Sequence, residues 1–180
     1  MKLLPDQLNR DREGAPTTYL ITWVCYGSWL PGQSKAVPRT HNGFGARLPA
    51  PDGARELLSK SRMSQEPYFL DSLRGQVVLI SLNETCCHRG WTQLAAHVRT
   101  NHIHVVVTGN CKPEGILIAM KAYSSRALNK HEPDSIDRRR WARHDSTRYL
   151  WTRDAVQAAI RYVVHGQGEP MRVFEAPAPR

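Results

Sequence analysis

Hydrophobic residues along the chain recur with periods that predict seven regular elements, beginning with a strand. Residues 17–27, TTYLITWVCYG, are rich in Thr, Tyr, Ile, Trp and Val, which favour strands, and the glycines and proline that follow end the run. Residues 31–67 have little periodicity and predict a long loop with at most short helices. Apolar side chains then recur at helical intervals between Leu70 and Ile80 and predict a helix over 69–89.

The second half of the sequence predicts two strands, a helix, a strand and a final helix. WTQLAAHVRT and HIHVVVTG are β-prone runs separated by Asn101, which is typical of an antiparallel hairpin. Pro113 begins a predicted helix that runs to Lys130. A strand is predicted near residues 148–151, a helix over 154–165, and a proline-rich coil after it.

This β-α-β-β-α-β order predicts an α+β protein with the ferredoxin-like split β-α-β plait. We expect an antiparallel sheet with helices on one face and an extra C-terminal helix. The domain is predicted to span residues 17–172, between a flexible arm of residues 1–16 and a tail of residues 173–180.

Charge and composition narrow the classes of partner. The 180 residues carry 25 Lys and Arg against 16 Asp and Glu, a formal charge of +9, which favours nucleic acid as partner. The apolar runs are far shorter than the roughly 20 residues of a membrane helix, and the N-terminus lacks the core of a secretory signal. We therefore expect a cytoplasmic protein without a membrane partner. The four cysteines form no CxxC pair and predict neither a zinc site nor a disulfide framework.

Two local patterns could carry chemistry. His102 and His104 are two residues apart on a predicted strand, so both imidazoles share one sheet face and could bind one metal ion. Satisfied, partly exposed histidines are the alternative. On the last predicted helix, Tyr162 lies off the apolar stripe beside small and polar residues, which indicates a reachable hydroxyl or an ordinary tyrosine at a helix edge.

Three stretches together resemble the REP-associated tyrosine transposases, relatives of the single-tyrosine HUH transposases of IS200-like elements. They are YLITWVCYGSWLPG, NHIHVVV and WARHDSTRYLWTRDAVQAAIRYVVHGQGEPM, and the resemblance covers roughly residues 17–172. It implies that His102 and His104 bind Mg²⁺ or Mn²⁺ and that Tyr162 attacks a phosphate of single-stranded DNA. It also implies hairpin or palindromic repeat DNA as partner and a bacterial, nucleoid-associated location when DNA is bound.

The third metal ligand departs from the family pattern. The family commonly places an amide side chain one helical turn after the tyrosine, but position 166 is glycine here. Gln167 is the nearest amide and is our predicted ligand, provided that Gly166 ends the helix. His165, on the same helix side as Tyr162, is the competitor. Relatives act as monomers or dimers, so a homodimer stays open.

Basic residues of the predicted helix 113–130 and of the connection after it are our candidates for DNA contacts: Lys121, Arg126, Lys130, Arg138, Arg139, Arg140, Arg143 and Arg148. We also expect residues 31–67 to form a mobile flap that contacts DNA.

The resemblance predicts a metal-dependent single-stranded DNA endonuclease and strand transferase that forms a 5′-phosphotyrosine. The alternatives are a catalytically silent DNA-binding domain of the same fold, and a nuclease that uses water while Tyr162 is structural. Tyr123, in a basic helix, is a rival nucleophile but comes too early for the family pattern.

Overall fold

The computed structural model describes residues 17–33, 50–132 and 137–177. The predicted arm of residues 1–16 and part of the predicted flap lie outside these ranges. In chain order the elements are β1 (Thr18–Cys25), α1 (Gly53–Ser61), α2 (Ser72–Arg89), β2 (Thr92–Val98), β3 (His102–Thr108), α3 (Pro113–His131), β4 (Trp141–Tyr149), α4 (Arg153–His165) and β5 (Arg172–Glu175).

The five strands form one antiparallel sheet in the order β4-β1-β3-β2-β5. Without β5, the order 4-1-3-2 and the succession β1-α2-β2-β3-α3-β4 are those of the ferredoxin-like split β-α-β plait. The predicted fold class is therefore confirmed. No helix among the described residues is long and apolar enough to cross a membrane.

The sheet separates two packed cores because successive strand residues point to opposite faces. On one face, Ile103 and Val105 of β3 belong to the large core that includes buried residues of α2 and α3. On the other face, Val106 packs with Ala159 and Val163 of α4. The predicted pair of helices thus covers one face, and the extra C-terminal helix covers the opposite face.

Local sequence signals set the ends of the helix that follows the sheet. The Thr152 side chain accepts a hydrogen bond from the Ala155 backbone N–H and so caps the N-terminus of α4. Gly166 ends the helix, and its backbone N–H donates to the Tyr162 carbonyl. Tyr162 therefore lies in the last turn of α4.

Two strand predictions need correction. β4 begins at Trp141, not near Arg148, because the arginine-dense connection pairs with β1 and Trp141 packs edge-on against buried Trp23. Residues 173–175, predicted as the start of the tail, belong with Arg172 to strand β5, which pairs with β2.

The helical prediction before β2 also needs adjustment. The predicted loop, for which at most short helices were expected, contains the short helix α1 at Gly53–Ser61. In α2 the buried apolar residues include Val78, Leu79, Leu82 and Cys86, whereas Leu73 and Ile80 are exposed. The predicted stripe was counted from Leu70, which precedes the cap of α2 and is not in the helix.

Candidate active site

A pair of histidines on β3 forms the centre of the site. His102 and His104 lie on the face of the sheet that α4 covers, since they alternate with Ile103 and Val105 of the other core. Their ring centroids are 4.9 Å apart. The structure thus brings the two predicted metal ligands together.

His104 is held in a neutral form. It is 5% exposed, and its Nδ1 lies 2.7 Å from the Thr22 hydroxyl on β1. Burial, with a smaller effect from the neighbouring His102 and His97, lowers the pKa of His104 to about 3. A neutral imidazole keeps a lone pair, which is the form that binds metal ions.

His102 is oriented by two neighbours. Its Nδ1 is 2.7 Å from Oδ1 of Asn101; because an amide oxygen only accepts, Nδ1 carries the proton and Nε2 keeps its lone pair. The indole of Trp29 lies against the ring, with centroids 5.0 Å apart. Trp29 has a φ of 52°, a left-handed conformation that is costly for a bulky residue.

Tyr162 lies beside the histidine pair. Its ring centroid is 5.6 Å from that of His104 at an interplanar angle of 74°, and the side chain is 48% exposed. The predicted nucleophile therefore contacts the predicted metal ligand while about half of the residue remains exposed.

Gln167 completes the cluster. Its side chain lies near enough to His104 to raise the pKa of that imidazole slightly against the effect of burial, and its Nε2 donates to the Tyr162 carbonyl at 3.2 Å. His165, the competitor, is exposed. Of the two alternatives for the third ligand, the structure places Gln167 next to the histidine pair.

The surroundings of Gly166 leave no room for the amide side chain that the family pattern places at this position. A Cβ at this position would lie 2.8 Å from the Tyr162 carbonyl oxygen and 3.1 Å from Cδ2 of the Tyr162 ring. Contacts below 3.0 Å force a shift of the backbone, so no side chain fits at 166 with Tyr162 in this place. The amide is supplied by the next residue.

These side chains fit a divalent cation. Among the described residues no group of three His, Cys, Asp or Glu side chains could hold a metal ion, so a third ligand drawn from these residues would be of another type, such as the amide of Gln167. Both histidines have Nδ1 engaged with a protein oxygen, and such contacts orient a ligating ring. Imidazole suits Mn²⁺ better than Mg²⁺.

The predicted DNA-contacting residues fall on both faces of the sheet. Arg148 is exposed and pairs with Leu20, which belongs to the α4 side. Arg126 and Lys130 are on the opposite side, where with Tyr123 they line a cavity of about 330 Å³ between α2 and α3. Arg126 stacks over the Tyr123 ring at 5.0 Å.

The remaining candidates divide into exposed residues and residues engaged inside the fold. Arg139 and Arg143 are exposed. Lys121 bridges to Asp145 of β4, and Arg138 donates to the carbonyls of residues 66 and 67. Arg140 is only 3% exposed and lies over the Tyr68 ring, so the prediction that it contacts phosphate is corrected.

Four residues of the site were not among the predicted ones: Thr22, Trp29, Asn101 and His97. Thr22 and Trp29 come from segments distant in sequence, and only the pairing of β1 with β3 and the turn after β1 bring them to the site. His97 carried a signal, because it is a lone polar residue in the apolar run LAAHV and lies opposite His104.

No family model matches the chain, and no curated protein matches it. Among solved structures, it is similar to a REP-associated tyrosine transposase bound to a REP hairpin, with 10% identity, a TM-score of 0.48 and coverage of 84% of this chain and 67% of the other. It is also similar to a candidate transposase from Deinococcus radiodurans R1, with 12% identity, a TM-score of 0.41 and coverage of 83% and 89%. The case for an activity rests on the side chains of the site.

Proposed function

We propose that this protein is a metal-dependent endonuclease and strand transferase acting on single-stranded DNA, with the activity of a transposase. The observation that carries the proposal is the contact of an exposed tyrosine with a buried, neutral histidine of a two-histidine pair. Hairpin-forming repeat DNA is the proposed substrate, on the basis of the sequence resemblance.

His102 and His104, with Gln167, would hold the cation. When bound, a divalent cation polarises the phosphate and stabilises negative charge that develops on it. Tyr162 is the nucleophile. Its partial exposure gives an extended DNA strand access to the hydroxyl, and its contact with His104 fixes the ring next to the ligands.

The reaction conserves the phosphodiester. The Tyr162 oxygen forms a bond to phosphorus, the bond from phosphorus to the 3′ oxygen breaks, and the phenol loses its proton while the leaving 3′ oxygen gains one. The products are a 5′-phosphotyrosine and a free 3′-OH. A 3′-OH can attack the phosphotyrosine in reverse, which joins strands without another energy source.

The test is a denaturing gel of the protein with Mn²⁺ or Mg²⁺ and an end-labelled single-stranded hairpin from the flanks of its own gene. We expect a denaturant-stable adduct with the unaltered chain and with Tyr123→Phe, and none with Tyr162→Phe or His104→Ala. Tyr123→Phe is the matched control because Tyr123 is the rival nucleophile.

Three other outcomes would contradict the proposal. An adduct that is lost in Tyr123→Phe moves the nucleophile to the other face of the sheet. Cleavage without an adduct in Tyr162→Phe indicates a water-using nuclease. Tight DNA binding without cleavage by the unaltered chain indicates a silent DNA-binding domain.

A further inference from the structure

His97 is a fully buried polar side chain next to the candidate site. It lies on β2, is 0% exposed, and is the cross-strand partner of His104. Residues directly opposite each other on paired strands point to the same face, so His97 lies under α4 together with the histidine pair.

Both ring nitrogens of His97 are used by backbone groups. Nδ1 lies 3.0 Å from the Val163 carbonyl oxygen, and the Met171 backbone N–H donates to Nε2 at 3.2 Å. Because a carbonyl only accepts and an amide N–H only donates, the proton is on Nδ1 and the ring is neutral. Burial also lowers the pKa of His97, in agreement with this form.

The two backbone groups belong to the segments that carry the other site residues. Val163 follows Tyr162 in the last turn of α4, where carbonyls lack a helical partner. Met171 ends the stretch that begins with Gly166 and Gln167, before β5 pairs with β2. One imidazole therefore connects the tyrosine helix and the glutamine segment to the strand next to His104.

We propose that His97 is a positioning residue that holds Tyr162 and Gln167 in register with the histidine pair. The part of this proposal that concerns the reaction rests on the proposed function. His97 does not touch the reacting groups; it acts through the backbone at Val163 and Met171.

Three substitutions separate the two hydrogen bonds. In His97→Asn the side-chain amide N–H takes the place of Nδ1–H and can donate to the Val163 carbonyl. In His97→Gln the side-chain oxygen takes the place of Nε2 and can accept from Met171. His97→Leu removes both bonds and keeps an apolar filling. Gln93→Leu is the matched control, since Gln93 is a buried polar residue of β2 in contact with Cys86 on the other face.

The kinetic readout is single-turnover cleavage of saturating hairpin DNA with Mn²⁺. A misplacement of about 1 Å typically costs about 100-fold in rate, so we expect a loss of that order in His97→Leu with unchanged DNA affinity. His97→Asn is expected to restore most of the rate, because it keeps the bond next to Tyr162. Gln93→Leu should cleave like the unaltered chain.

The second readout needs no cleavage. Hydrogen exchange of backbone amides over residues 162–171 should be faster in His97→Leu than in His97→Asn, with His97→Gln protecting the Met171 amide alone. If the unaltered chain forms no adduct, the proposed function fails, and this exchange comparison alone decides whether His97 holds the segments.

Two results would overturn the positioning role. One is a folded His97→Leu that cleaves at the original rate and exchanges no faster over 162–171. The other is an equal loss of rate in His97→Asn and His97→Leu at equal thermal stability, which would make the hydrogen bond to Val163 irrelevant.

Discussion

His104, which we propose as a metal ligand, is kept neutral by its surroundings. The side chain is enclosed between β1 and α4, and the same burial that lowers its pKa to about 3 prevents a proton from competing with a cation at neutral pH. Because burial lowers the pKa of His104, the folding stability depends on pH.

We predict that the protein loses stability as the pH is lowered from 6.5. The unfolded chain binds a proton at His104 near its ordinary pKa of 6.5, whereas the folded chain binds it only near 3, so between these values the unfolded state holds more protons. From pH 6.5 to 5.0 this one group contributes a loss of up to about 2 kcal/mol.

Urea unfolding at the two pH values tests this prediction. His104→Ala is expected to be less stable at both values but to change less between them. An equal change with pH in His104→Ala and in the unaltered chain would mean that His104 is charged in the fold or exposed.

We predict that Gln167, and not His165, contributes to metal affinity. Gln167 lies near enough to His104 to affect the pKa of its imidazole, whereas His165 is exposed. Since loss of even an outer-shell partner weakens metal binding by about tenfold or more, Gln167→Ala should weaken Mn²⁺ binding at least that much in calorimetry. His165→Ala is the control, and a larger effect from His165→Ala than from Gln167→Ala would reverse the assignment.

At the scale of elements, α4 and β5 hold the two ends of the segment that carries Gln167. α4 packs on the sheet through Ala159 and Val163, and β5 returns to pair with β2, so the segment between them crosses the sheet edge next to the site. Arg99 of the β2–β3 turn donates to the Glu169 carbonyl in this segment. The connection is therefore fixed at both ends and in its middle.

We predict that β5 contributes to folding stability. Phe174 is partly buried and packs against the large core. A fully buried phenylalanine loses about 3–5 kcal/mol on truncation, and for a half-buried one we expect about 2 kcal/mol in Phe174→Ala, measured by urea unfolding. Glu175→Ala, an exposed change on the same strand, should cost little. An unchanged free energy of unfolding in Phe174→Ala would mean that β5 does not stabilise the fold.

Local pattern predicted most elements of the fold, and its failures have a common cause. The hairpin β2–β3 and the helices α3 and α4 were predicted because their periodicity is contained in their own residues. The start of β4 was mislocated and β5 was not predicted, because a strand at the edge of a sheet is defined by the residues it packs against. Trp141 packs against Trp23, and Phe174 packs against the large core. The sequence pattern of these strands is charged and irregular.

The residues of the site also divide into those that the sequence predicted and those that only the structure reveals. His102, His104, Tyr162 and Gln167 were predicted from a motif and a resemblance, and the structure brings them together. The groups that orient them were not predicted, because they follow from register between strands and from a turn distant in sequence. Arg140 was predicted as exposed because its burial over Tyr68 depends on a segment more than 70 residues earlier.

At the scale of the whole molecule, the sheet places two basic regions on opposite faces. Arg148 belongs to the face of α4 and Tyr162, whereas Arg126 and Lys130 line the cavity between α2 and α3. A single strand bound at Tyr162 would lie on the same face of the sheet as Arg148. A region on the far face can be reached only by a longer substrate that passes around the sheet edge.

We predict that the two regions contribute to binding of different DNAs. Arg148→Ala should weaken binding of a short single strand and reduce the slope of log affinity against log salt by about 0.7, the value of one phosphate contact. Arg126→Ala with Lys130→Ala should weaken binding only of a hairpin with a long stem. Fluorescence anisotropy over a salt series measures both, and equal losses on the short strand would place both regions on one DNA path.

Trp29 gives the site an optical signal of its own. Its indole lies 5.0 Å from the His102 imidazole, centroid to centroid. The energy of an excited indole responds to a charge at this distance, so its emission wavelength reports whether a positive charge sits on or beside His102. The difference spectrum between the unaltered chain and Trp29→Phe isolates this emission from that of the other four tryptophans. We therefore expect Trp29 emission to follow binding of the proposed cation in real time on unlabelled protein, before any DNA is added.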